Sequence, residues 1–210
     1  MLTLIHTTAS NEALFRALLE EIAPDTPARH VLAADLLDRA TAQGRVTPDI
    51  ATETKDRMRA ALEDGAAMVL CTCSTLGTCA DQMNDSRVHR IDRAMAQRAT
   101  ARGGRVLVAA CVASTLEPTV MLLRESGPQA DIETLLMADL WPHFQAGERT
   151  LYWQGIAERL RASAAGFDCI VLAQASMAGA ADLLGNLSIP VLSSPRIGLE
   201  AAIAAYRTLS

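Results

Sequence analysis

Two short segments carry most of the chemistry open to this chain: 68–77 (MVLCTCSTLG) and 170–179 (IVLAQASMAG). Each is an apolar run followed at once by small or hydroxyl-bearing residues and a glycine, the pattern of a buried strand turning into a helix. The first turn holds Cys73 beside Ser74 and Thr75; the second holds Gln174, Ala175 and Ser176, and no thiol. A thiol at a helix start has its thiolate favoured by the helix dipole and by nearby N–H donors, so Cys73 is expected to act as a base or a nucleophile. Hydroxyls and backbone N–H groups at such turns suit a carboxylate or phosphate. Thr7-Thr8 after the first apolar run and Ser114-Thr115 after the fifth extend the set, with Gln174 as an amide donor. The ligand they predict is a small anion.

Other reactive residues point to less. Cys71, Cys111 and Cys169 lie in apolar runs and read as small core residues, although Cys111 ends its run and has a route to the cleft. Cys71, Cys73 and Cys79 with His89 are the one metal-type grouping, but C-x-C-x5-C lacks the paired C-x2-C spacing of structural zinc sites, and no metal is expected. No G-x-G-x-x-G, G-x4-G-K-[ST] or G-x-S-x-G occurs, so no nucleotide or other cofactor is expected. His6 ends the first run and is either a satisfied strand-end histidine or a group facing the site. Arg90 and Asp92 read as a structural pair.

These turns need a sheet to hold them. Apolar runs at 2–6, 30–34, 67–72, 87–91, 105–111, 131–137, 168–173 and 189–193 alternate with segments of helical period. Eight strands and about seven helices in alternation predict a parallel α/β architecture, where ligands bind beyond the carboxyl ends of the strands. Ser10 is expected to cap a helix carrying Leu14, Leu18 and Ile22; Thr52 to cap another ending at Gly65; and a third to run from 92 to 102. A long helix is expected over 146–165 and a terminal one beyond 195. Gly103-Gly104 marks a midpoint, after which the order of elements repeats. Residues 69–77 and 171–179 align without a gap with four identities in nine, which places Ala175 opposite Cys73. The predicted division is 1–103 plus 195–210 as one lobe and 104–194 as the other.

Bulk properties remove whole classes of function. The 210 residues are half hydrophobic and carry a net charge of −5 with no basic cluster, which excludes a nucleic-acid footprint. No apolar stretch reaches the roughly 20 residues of a membrane helix, and the N-terminus lacks the pattern of a secretory signal. A cytoplasmic protein with reduced thiols is expected.

The residues resemble the aspartate/glutamate/hydantoin racemase superfamily, which acts without pyridoxal phosphate. TCST (72–75) resembles its first cysteine turn, RIDRAM (90–95) its ID-x-x-M segment, IVLAQASMAG (170–179) the hydantoin-racemase IVLGCAGMAG, and IPV (189–191) a further match. The resemblance implies two similar α/β lobes related by a pseudo-twofold axis, a site between them, a small carboxylate or amino-acid substrate and a homodimer. It also implies one cysteine from each lobe, on opposite faces of the substrate carbon. Cys73 fills the first place, but matching the second motif puts Gln174 there, and the internal alignment puts Ala175 there. Three reactions are compatible with one thiol: racemisation with a substitute acid such as water or His6, cis–trans isomerisation of an unsaturated diacid, and decarboxylation of a malonate-like acid. The leading expectation is a racemase or isomerase using Cys73; the alternative outside enzymology is a carboxylate-binding protein. Low aromatic content favours a small aliphatic acid.

Overall fold

The structure, a computed structural model, describes residues 1–209. Strands β1 (Leu2–His6), β2 (Ala28–Leu32), β3 (Met68–Cys71) and β4 (Val88–Arg90) form one parallel sheet in the order β2-β1-β3-β4. Strands β5 (Gly104–Ala110), β6 (Ala130–Leu136), β7 (Cys169–Leu172) and β8 (Val191–Ser193) form a second in the order β6-β5-β7-β8. The two orders are the same when counted from the start of each half. Central strands β1, β3 and β7 are buried along their whole length, which is why they are continuous apolar runs rather than alternating ones.

Among the described residues ten α-helices cover these sheets. In the first half they are α1 (Ala9–Ile22), α2 (Ala34–Gln43), α3 (Pro48–Glu63), α4 (Gly77–Asp81) and α5 (Arg93–Thr100). In the second they are α6 (Leu116–Ser126), α7 (Trp141–Gln145), α8 (Arg149–Ser163), α9 (Ala178–Leu183) and α10 (Ser194–Arg207). The first expected cap is corrected: Thr8, extended at φ −144° and ψ 147°, accepts the Asn11 N–H, and Ser10 already lies inside α1. The second is corrected too: α3 starts after Thr47 with Pro48 in its first turn, and Thr52 sits in the helix donating its hydroxyl to the Pro48 carbonyl. The expected helix 146–165 is α8, starting at Arg149 because Gly147 at φ +77° precedes it, and the short α7 before that glycine is an element beyond those expected. Among the described residues no helix is long and apolar enough to cross a membrane.

The core is four apolar clusters, one on each face of each sheet. On the first sheet, α2 and α3 pack one face through Leu36, Ile50 and Met58. The other face is covered by α1 and by α10, through Phe15, Leu19, Leu199 and Ile203. On the second sheet, α8 and α9 cover one face, and α5 covers the other with α6, burying Met95, Ala96 and Ala99 against Val106 and Val108. Two helices thus cross between halves: α5 follows the first sheet in sequence but packs on the second, and α10 follows the second but packs on the first.

Candidate functional site

The carboxyl ends of β1, β3, β5 and β7 converge where the two sheets meet. After β3, β5 and β7 the chain makes the same tight turn, with Leu76 N–H donating to Cys73 O, Thr115 N–H to Val112 O and Met177 N–H to Gln174 O at 3.0–3.2 Å. These turns bring Thr7 and Thr8, Thr72 to Thr75, Thr115, and Gln174 to Ser176 around one small cavity of about 30 Å³. Nine of the ten predicted site residues therefore share it. Cys73 is the only ionisable side chain among the residues lining it.

Ser114 is the exception, and its placement corrects the expectation. Successive residues of the tight turn 113–115 point in different directions. Thr115 faces the Cys73 cavity, whereas Ser114 lines a separate pocket with Cys79, and its buried hydroxyl has no hydrogen-bond partner. The Thr75 and Thr115 hydroxyls, 2.9 Å apart, join the two halves across the site.

Cys73 departs from its expected ionisation. The thiol is 6 % exposed and burial pushes it above the ordinary cysteine range; the hydroxyl of Thr7, the N–H groups of Leu76 and Thr75 and the Thr75 hydroxyl pull the other way without reversing the shift. The helix behind it, α4, is a single short element starting at Gly77, too brief to supply a strong dipole. The resting group is a neutral thiol with donors already aimed at the thiolate it would become. Thr7 Oγ1 is buried with no partner meeting hydrogen-bond geometry, which leaves it available to that thiolate or to a ligand.

Gln174 is committed differently from expectation. Its Oε1 accepts from Cys111 N–H at 2.6 Å and Val112 N–H at 3.0 Å, clamping the end of β5. Its amide oxygen is therefore part of the wall, and only the NH2 is left for a ligand. In the repeated turn Gln174 itself stands where Cys73 does, because Met177 N–H donates to Gln174 O as Leu76 N–H does to Cys73 O. The ungapped alignment that put Ala175 opposite Cys73 is corrected by one residue, and Ala175 is buried beside Gln174 in the cavity wall. His6 does not line the cavity. Thr72 Oγ1 donates to Ile5 O, so His6 Nδ1–H donates to Thr72 Oγ1 and His6 Nε2 accepts from His30 Nδ1 at 2.8 Å. Both ring nitrogens are used, which removes His6 as the substitute acid. Cys111 is 1 % exposed and absent from the cavity wall.

Arg90 and Asp92 are the structural pair expected of them. Arg90 Nε and Nη2 donate to the two Asp92 carboxylate oxygens at 2.7 and 3.0 Å, and Nη1 to Asp81 at 2.6 Å. The guanidinium lies against Gly77, where a Cβ would come within 2.5 Å of Nη2. This fixes the start of α4, and with it the turn that carries Cys73.

Asn11, Leu37, Trp141 and Phe144 also line the cavity. The signal for the aromatic pair was their crowding: four of the seven aromatic residues of the chain fall between positions 141 and 153. Asn11 stood three residues after Thr8 at a helix start. Phe144 separates the small cavity from two outer recesses of about 550 and 610 Å³, both also lined by Arg149. The cavity around Cys73 is far smaller than either recess outside it, so a carboxylic acid reaches the thiol by movement of the aromatic cover or of the lobes.

No protein-family model matches the chain, and no curated protein matches it in sequence. Solved structures do match in shape. Picrophilus torridus aspartate racemase superposes with a TM-score of 0.76 at 12 % identity, over 99 % of this chain and 94 % of that one. Allantoin racemase from Klebsiella pneumoniae gives 0.65 at 18 % identity, over 99 % and 87 %. Arylmalonate decarboxylase gives 0.56 at 18 %, over 98 % and 91 %. The chain has the two-lobe α/β fold of the aspartate/glutamate racemase-like proteins, with one parallel four-stranded sheet in each lobe.

Proposed function

We propose that this protein is a cofactor-independent racemase- or isomerase-type enzyme acting at the α-carbon of a small carboxylic or amino acid, with Cys73 as base or nucleophile. One observation carries the reading: the sole ionisable side chain of the cavity is a thiol, set at the junction of the two sheets and ringed by hydroxyl and backbone donors. The racemases among the fold neighbours act in its favour. In the reaction the Cys73 proton passes to solvent water while the site is open, and the Thr7 hydroxyl and the N–H groups of Thr75 and Leu76 stabilise the thiolate. The thiolate removes the α-proton, and the C–H electron pair passes into an enediolate whose charge sits on the carboxylate oxygens. Ser74 and the free proton of the paired Thr75 and Thr115 hydroxyls are the donors that meet this charge, each worth on the order of 3 kcal/mol in a preorganised site.

The neutral resting state of Cys73 favours a second reading, decarboxylation of a malonate-like acid. Loss of carbon dioxide leaves the same enediolate, and a single thiol then supplies the proton that completes the product. The arylmalonate decarboxylase among the neighbours is in line with it.

Both readings are tested by incubating the protein in D2O with aspartate, glutamate, hydantoins, substituted malonates and maleate and following exchange and products by NMR. Cys73-dependent exchange or inversion supports the first reading, and Cys73-dependent carbon dioxide release supports the second. Absence of turnover in the wild type, with acid binding unchanged in Cys73→Ser, leaves a carboxylate-binding protein.

A further inference from the structure

The second lobe presents no ionisable group to the cavity, but it holds one a short distance behind the wall. Ser176 lines the cavity, and its Oγ lies 3.0 Å from the Tyr152 hydroxyl. Tyr152, on α8, is fully buried and shares an apolar cluster with Cys111, whose thiol sits beside the same hydroxyl so that each affects the ionisation of the other. Ser176 is held in place from a second direction: the Trp153 indole N–H donates to its carbonyl at 2.9 Å. The indole in turn lies flat on Gly179, where a Cβ would come within 2.5 Å of the ring. A serine on a mobile turn would be an ordinary ligand contact. This one is fixed at both its carbonyl and its hydroxyl, with a buried phenol behind it and a buried thiol in the same cluster as the phenol.

We propose that Ser176, Tyr152 and Cys111 form a proton relay that replaces a direct thiol on the second lobe, Ser176 touching the substrate and Tyr152 and Cys111 acting through it. The inference rests on the reading of Cys73 as a base at an α-carbon. Cys73 thiolate takes the α-proton from one face, and the electron pair of the C–H bond passes into the enediolate. The Ser176 O–H bond then breaks and its proton goes to the opposite face of the carbon. The Tyr152 proton moves to Ser176 Oγ, and the Cys111 proton moves to the Tyr152 oxygen. At the end Cys73 holds the proton it removed, Cys111 is the thiolate and the carbon is inverted; no electron enters or leaves. The same steps in reverse convert the product isomer, as microscopic reversibility requires. Burial pushes Cys111 up to about 11 and Tyr152 still further above its ordinary range, so the thiol is the better end point for the charge.

The test separates exchange from inversion. Single enantiomers of aspartate, glutamate and 5-substituted hydantoins are incubated in D2O, and the ratio of inverted product to deuterium-exchanged substrate is measured for the wild type, Tyr152→Phe and Cys111→Ser. The relay predicts that both variants lose inversion by on the order of 10²-fold relative to exchange at the Cys73 face, the scale of a lost general acid. A packing defect would lower both signals together and leave their ratio unchanged. Adding Ala175→Cys to Tyr152→Phe places a thiol at the cavity wall and restores the ratio. An unchanged ratio in both variants, or a wild type that exchanges without ever inverting, overturns the relay while leaving Cys73 as a one-faced base. A wild type that exchanges no more than Cys73→Ser removes the underlying reading, and the relay with it.

Discussion

At the scale of single residues, burial decides ionisation here more than proximity to helix ends does. Cys73 was legible from its place after an apolar run, but its neutral resting state was not, because sequence does not show that the thiol is enclosed. His6 shows the same rule with a measurable consequence. Burial lowers its pKa to about 4, helped by the neighbouring His30 and by Arg16 and opposed by Glu12. His30 is lowered for the same first reason. Between about pH 6.5 and 4 the unfolded chain therefore takes up a proton at His6 that the folded protein refuses, so folding stability falls as the pH drops through that window. For His6 alone the loss approaches about 3 kcal/mol at the acid end. Urea unfolding at pH 7, 5.5 and 4.5 measures it, and His6→Gln is expected to flatten the slope. Equal slopes in the two proteins would assign the acid sensitivity to other groups.

At the scale of elements, all eight strands were legible because strand-length apolar runs separated by helical segments leave little choice. Helix starts were less so. Thr8 and Ser10 are equally good capping residues, and only the extended backbone at Thr8 chooses between them. Least legible were contacts that depend on where a helix lands. Gly198 looks like an ordinary helix-interior glycine in RIGLE, yet α10 crosses the end of β4 so closely that a Cβ there would lie 1.9 Å from the Ile91 carbonyl oxygen. Backbone at that distance has no cheap way to yield. Gly198→Ala is expected to cost about 3 kcal/mol or more, whereas Gly185→Ala, whose nearest neighbour would be Asp182 O at 3.7 Å, should fall within about 0.5 kcal/mol of wild type. Thermal unfolding of the two variants tests the contrast, and similar values for both would show that α10 can shift.

At the scale of the whole molecule, the exchange of α5 and α10 ties each lobe to the other's core, so the halves are not two beads on a linker. Residues 93–100 bury their apolar face on the second sheet and 194–207 on the first. Sequence periodicity identified both helices and was silent on which sheet receives them, since an apolar stripe fits either. The interlock makes the local cover the cheaper route into the site. Trp141 and Phe144, their rings stacked with centroids 4.9 Å apart, close the cavity from the second lobe, and Leu37 closes it from the first. If opening is movement of this cover, Phe144→Ala joins the Cys73 cavity to the outer recesses while removing one ring from the edge of the second lobe's core, beside Tyr152. Alkylation of Cys73 by iodoacetamide, followed by peptide mass mapping, is then expected to accelerate by about ten-fold, equivalent to roughly 1.4 kcal/mol less for opening. Cys169 and Cys71, which lie within β7 and β3, should keep their wild-type rates. Acceleration of all the thiols together would mean that the variant loosens the fold, and no acceleration at Cys73 would mean that access requires the lobes themselves to part.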